Sequence, residues 1–229
     1  MRKLGLILLV WLPHGLWAQE ATLDSTRSVG LGVGFGGASY RGDLQSSYHG
    51  FSLEGSVYFL LNPEAGFSAG FMAYAGNVAG ENPDLMPVAL PNGNYVTPNR
   101  YFTTNYQGLA FMPRVRLYGR WGMGIWLSQG VGLLRFSPLS AEGEALLDAA
   151  DTRAPNEFYG ASAIHFPTLL QLGYGWPNGL QWQVQAGLMN PITDYLDNIG
   201  ELGTRDGFDR MLVLRCMVLY RVNAIGISR

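Results

Sequence analysis

The chain alternates between apolar and polar positions, most cleanly from Leu180 to Met189. There Leu180, Trp182, Val184, Ala186 and Leu188 are interleaved with Gln181, Gln183, Gln185 and Gly187. A period of two marks a β-strand whose faces meet unlike surroundings. The same period predicts strands over 28–38, 51–61, 65–78, 104–118, 121–136, 164–176, 180–189 and 210–224. In the first, Val29, Leu31, Val33 and Phe35 oppose Gly30, Gly32, Gly34 and Gly36. In the last, Leu212, Leu214, Cys216, Val218 and Tyr220 oppose Val213, Arg215, Met217 and Arg221. The fifth is the least regular: Gln129 shares a face with Met123, Ile125 and Leu127, and a bulge near Gly130 is expected to restore the phase.

The connections alternate as well, long then short. Short ones carry hairpin chemistry: Asn62-Pro63-Glu64, Gly119-Arg120 and Pro177-Asn178-Gly179. Long ones cover 37–50, 79–100, 137–161 and 190–209; the piece 141–150 of the third is expected to make one or two helical turns. Strands this long exceed the roughly five or six residues usual in soluble sheets and match the ~9–11 that cross a bilayer at a tilt. An even set of antiparallel strands with brief turns on one side predicts an all-β fold, an eight-stranded antiparallel up-and-down transmembrane barrel. Apolar residues then face lipid and polar ones fill the inside. Aromatic residues support two girdles: Phe59, Tyr118, Trp121, Trp176, Trp182 and Tyr220 towards the short turns, and Tyr101, Phe102, Tyr106, Phe136 and Phe166 towards the long loops.

Composition agrees with this reading. Charged residues make up 14%, against roughly 25% in soluble domains. The 31 glycines disfavour helical bundles. A net charge of −2 offers no basic surface to nucleic acid. Cys216 has no partner for an internal disulfide and is expected to be a small buried hydrophobe. At the N-terminus, Arg2-Lys3, an apolar run from Leu4 to Leu12 and the small Ala18 have the layout of a cleavable signal peptide. This divides the chain into 1–18, a signal peptide, and 19–229, an outer-membrane barrel.

The inward faces offer Glu54, Arg114, Arg116, Gln171, Gln181, Gln183, Gln185, Arg215 and Arg221. An eight-stranded barrel is only wide enough to be filled by side chains, so these predict a hydrogen-bonded plug and not a pore. Glu54 is the clear inward carboxylate and should compensate buried arginine. The arginines of strand eight should lie beside the bare Gly30, Gly32 and Gly34. For catalysis the mature chain has His49 and His165. A Ser162/His165/Glu157 set fails because a separation of three along a strand turns Ser162 and His165 to opposite faces, so His165 is expected at the rim. The glycine-rich GVGFGG follows strand patterning and lacks the lysine of a phosphate loop. No metal-ligand spacing occurs. The sequence points to a non-enzymatic barrel without cofactor or metal, in contact with outer-membrane lipids.

Two loop motifs add a family. Gly36-Gly37-Ala38-Ser39-Tyr40-Arg41-Gly42-Asp43-Leu44 closes strand one, and Thr193-Asp194-Tyr195-Leu196-Asp197-Asn198 opens the last loop. With Leu61-Asn62-Pro63, these resemble the PorG-like outer-membrane barrels. Asn198 stands where that family favours a second Asp, and Gly200 where a serine is usual. The resemblance implies a component of the type IX secretion and gliding machinery, anchoring a periplasmic ring of partner subunits to the outer membrane. The motif carboxylates Asp43, Asp194 and Asp197 are expected to cap turns, with pairing to Arg41 or Arg205, or holding of Ca²⁺, as alternatives. A stand-alone structural or adhesin-like barrel acting through its loops is the other reading, and a lipid-modifying enzyme the third.

Overall fold

The computed structural model describes residues 28–44, 52–89, 93, 95–97, 99–146, 160–199 and 208–223. Residues 1–18, expected to be a signal peptide, the lead-in 19–27, His49, Glu157, Gly200 and Arg205 lie outside these residues. Eight strands form a closed antiparallel ring. They are strand one, Ser28–Arg41; two, Ser52–Leu61; three, Phe67–Glu81; four, Tyr101–Phe111 continued by Arg114–Arg120; five, Met123–Gln129 continued by Val131–Leu139; six, Ser162–His165 continued by Thr168–Gly175; seven, Leu180–Met189; and eight, Arg210–Asn223. Each pairs with its neighbours in sequence, and strand eight returns to strand one over the full register Ser28↔Asn223 to Arg41↔Arg210. Closure leaves no free edge. A two-residue hairpin, Val88–Ala89 with Tyr95–Val96, is built within the second long loop.

Two of the three interruptions have a common cause. Proline has no N–H to give to a ladder. Pro113 splits strand four and Pro167 splits strand six, yet the register on either side is unchanged. Both prolines flank Gly130 in strand five, where the carbonyls of Pro113 and Pro167 accept the N–H groups of Gln129 and Gly130. A Cβ on Gly130 would meet the Phe111 carbonyl oxygen at 2.6 Å and the Met112 sulfur closer still. The expected bulge at Gly130 is absent: the in–out alternation runs through it unshifted, and Gln129 stays on the outer wall, bonded to the Thr168 hydroxyl at 2.7 Å. The register shift lies instead in strand four, between Arg116 and Tyr118.

The inversion of faces is visible along every strand. Leu31, Val33, Phe35, Leu53, Val57, Phe71, Leu109, Leu133, Leu170 and Val218 are exposed on the outer wall, whereas Glu54, Arg114, Gln171, Gln183, Gln185 and Arg215 are buried within. Cys216 corrects one expectation. It is exposed on the outer face, in the acyl region, and not packed inside protein. The aromatic girdle is well formed on the short-turn side, where all six expected residues are exposed. On the long-loop side Tyr101 and Phe166 face out, but Phe102, Tyr106 and Phe136 are buried inside the barrel. Residues 141–145 form a turn stapled by the Ser140 hydroxyl, a 3-10 turn begins at Leu146, and the remainder of 141–150 lies outside the described residues.

Candidate functional site

The interior is filled in three tiers. Nearest the short turns, Arg114 is inserted among neutral acceptors. Its guanidinium donates to the Ser68 hydroxyl (2.7 Å), the Gln171 amide oxygen (3.1 Å) and the Pro63 carbonyl (2.6 Å). Gln171 in turn donates to Ser128 at 2.8 Å, and the Trp126 ring lies 5.0 Å from the guanidinium carbon. Among the described residues no carboxylate lies within ion-pair distance of Arg114. Dipoles and a π-face take that role, which suits the planar, weakly hydrated arginine head.

The middle tier centres on the buried Glu54–Arg215 ion pair. Tyr106 donates its hydroxyl to the second Glu54 oxygen at 2.6 Å, and Tyr58 donates to Gln185 at 2.7 Å. The Arg215 guanidinium lies 5.5 Å from the Tyr74 ring, whose hydroxyl bonds the His165 Nε2 at 2.7 Å. A buried ion pair needs its remaining lone pairs and protons satisfied, and tyrosines from strands two and four supply this. Strand one makes room: Gly36 stands opposite Arg215, and a Cβ there would run into the Leu214 carbonyl oxygen. His165 is therefore fully buried in the barrel wall and not at a wet rim. Ser162 points outward, so the pair offers no nucleophile beside a base.

Other expected interior residues lie at the margin. Arg116 is exposed at the short-turn rim, where it donates to the Glu64 carbonyl at 3.1 Å and stacks over Trp126 at 5.5 Å. Its expected place in the buried plug needs correcting: Arg116 keeps the inward phase, but at the short-turn end that phase opens at the barrel mouth to water. Arg221, opposite Gly30, is half-buried and paired with Glu64, and Gln181 is likewise half-buried, while Gln183 and Gln185 are buried.

The third tier caps the long-loop end. The Tyr40 hydroxyl lies 2.6 Å from Asp197 Oδ2 and 2.8 Å from Asp209 Oδ1, with both carboxyls buried. Asp197 also accepts the backbone N–H groups of Leu44 and Ile199, and Asp209 accepts that of Leu196. Thr104 of strand four donates to the Leu196 carbonyl, and Tyr40 packs edge-on against Phe102 at 4.8 Å. Burial raises the Asp197 pKa to about 7, and burial together with the Asp197 charge raises that of Asp209. A hydroxyl has one proton to give. Two carboxyls on one tyrosine are thus both satisfied when one of them keeps its own proton. Of the motif residues, Tyr40, Asp43 and Asp197 are buried here, with Gly42 pressed against the Tyr40 hydroxyl and Asp209, and Asp194 and Tyr195 half-buried beside them. Asp197 caps turn N–H groups. Among the described residues no set of three or more His, Cys, Asp or Glu is placed to hold a metal.

A closed eight-stranded ring with an apolar outer wall and a polar plug defines the class: a small outer-membrane-type β-barrel. No protein-family model matches the chain, and no curated protein does. Among solved structures it is similar to neisserial surface protein A, with TM-score 0.47 and 11% identity over 87% of this chain and 98% of that one. It is also similar to Ail, the attachment invasion locus protein of Yersinia pestis (TM-score 0.47, 7% identity, 86% of this chain and 99% of that one). A third is a major outer membrane protein from Thermus thermophilus (TM-score 0.38, 13% identity, 86% and 99%).

Proposed function

We propose that this protein is a non-conducting, non-enzymatic barrel that acts as a rigid mount for its long-loop end, in the manner of a structural or adhesin-like surface protein. The observation that carries this reading is the asymmetry of the two ends. The short-turn end, among the described residues, consists of three tight turns with little surface for a partner. The long-loop end holds the buried Tyr40–Asp197–Asp209 cap, which ties strand one to the base of the last loop. Order placed there fixes the position of loops that project beyond it.

Two measurements test the proposal. Purified protein in planar bilayers is expected to be electrically silent; steady conductance would sink the plugged-mount reading. Replacing residues 82–100 by a short linker is expected to leave a folded barrel that has lost its cell-surface binding.

A second reading keeps the anchoring role that the loop motifs and the Leu61-Asn62-Pro63 turn imply, with export directed by residues 1–18. Under it, gentle detergent extraction recovers periplasmic ring subunits with the barrel, and the 82–100 replacement spares secretion. The buried placement of Tyr40, Asp43 and Asp197 favours the first reading, since these motif residues build the cap at the end away from the periplasm.

A further inference from the structure

On the outer wall, one row of the register changes character. Gly55, Ala75, Gln107, Arg135 and Ser162 stand side by side across strands two to six. The next row towards the short turns is Val57, Ala73, Leu109, Leu133 and Ile164, wholly apolar. The row above, towards the long loops, brings Asn77, Asn105 and Ser137. The apolar belt therefore ends at Leu109 and Leu133, and Arg135 stands at the level where acyl chains give way to headgroups. Counted from the short turns, Gly55 lies deeper than Arg135, so the row descends into the belt. Its deep end is made of small side chains, and between it and Arg135 a groove of about 670 Å³ is open on the lipid side.

We infer that this groove binds one phosphate-bearing acyl lipid of the leaflet on the long-loop side. Its chain lies along Gly55, Ala73 and Ala75, and its phosphate meets Arg135 with Gln107 and Ser162 alongside. The occupant follows from charge. The Arg135 side chain is exposed and, among the described residues, has no carboxylate partner. The groove lining is likewise free of acid. A second copy docked face to face would bring another arginine to the first, whereas a phosphate oxygen supplies the missing anion and a chain fills the apolar floor. The site is independent of what the long loops bind.

The test is native mass spectrometry of the full protein, extracted in detergent and offered bisphosphorylated hexa-acyl lipid A or its dephosphorylated counterpart. The wild type is expected to retain the phosphorylated form in preference. Arg135→Gln should lower retention about fivefold, the contribution of one arginine near an anionic surface. Gly55→Leu should lower it too with Arg135 in place; nothing lies within 4 Å of the added Cβ, so the barrel accommodates it. Arg210→Gln, an outward arginine on strand eight, should leave retention unchanged. Heat-modifiable gel mobility confirms that each variant is folded, and Arg135→Gln alone decides should Gly55→Leu fail that check. Undiminished retention in Arg135→Gln, an equal fall in Arg210→Gln, or equal retention of the dephosphorylated lipid each overturns the inference. So does a change in subunit number with Gly55→Leu, which would assign the groove to a second copy.

Discussion

Tyr40 holds one hydroxyl proton between two buried carboxyls, and that count makes the cap sensitive to pH. Asp197 has a folded pKa of about 7 against an ordinary 3.8. The folded state then binds more proton than the unfolded one across this window, so stability falls as pH rises through it. The contribution is fully present below the unfolded pKa and lost above the folded one. Asp43 and Asp194 face the pair and add to the upward push. Protection of the Leu44, Leu196 and Ile199 amides, corrected for intrinsic exchange, should drop between about pH 5 and about pH 8. Asp209→Asn supplies a permanent donor to the Tyr40 oxygen, so its protection should vary far less with pH; an undiminished drop in that variant would remove the shared-proton account. At the same scale, Glu54→Ala strands Arg215 in the barrel and should cost ~3–5 kcal/mol by urea unfolding in vesicles. Removing both charges, as Glu54→Leu with Arg215→Met, should cost clearly less. Much of this tier is legible in the sequence by parity: Tyr58 shares the phase of Glu54, Tyr74 that of Ser68, Tyr106 that of Arg114. Nothing local marks Asp209 as a partner of Tyr40, because that contact is made by closing the ring.

Strands show which part of the pattern survives interruption. A proline in a sheet usually argues for an edge; Pro113 and Pro167 instead sit in a closed wall, and the strand between them absorbs both at Gly130. Gly130→Val should therefore cost at least ~1–3 kcal/mol, because the Phe111 carbonyl and Met112 leave no room. Gly55→Val, facing open space, should unfold at the wild-type urea concentration. Similar losses from both would show that glycine's role here is not one of packing. Gln129 on the face of Met123, Ile125 and Leu127 breaks the alternation, and a bulge near Gly130 would restore the phase. No bulge is needed, because the Thr168 hydroxyl on the next strand gives Gln129 a bond on the outer wall itself. Arg116 keeps the inward phase of Arg114 and stacks over the buried Trp126, yet it is exposed, because at the short-turn end the barrel mouth is open to water. Height along the chain alone puts Phe102, Tyr106 and Phe136 in the long-loop girdle. Their parity puts them inside, under the cap, and parity decides.

At the scale of the molecule, one apolar belt and one polar plug depend on each other. A soluble barrel of the same register would bury Val33 and Val57, and Glu54 would meet water. Here the outer wall exposes the valines, and Glu54 is sealed with Arg215. The two arrangements respond oppositely to charge. Val33 lies near mid-strand on strand one, with Val57 and Val218 beside it in register. Val33→Arg should cost ~2–4 kcal/mol in lipid vesicles, the depth-dependent penalty for a cation on a barrel's lipid face. The same substitution at Arg41's neighbour on the outer wall, Ser39→Arg, should cost at most ~1 kcal/mol, since that position approaches the headgroups. In short-chain detergent the difference between the two should shrink, because a micelle lets water reach the wall. A packed soluble core would give the contrary ordering, with Val33→Arg as damaging in detergent as in lipid. The lipid-dependent gap between these two variants thus separates a wall that faces acyl chains from one that faces a core.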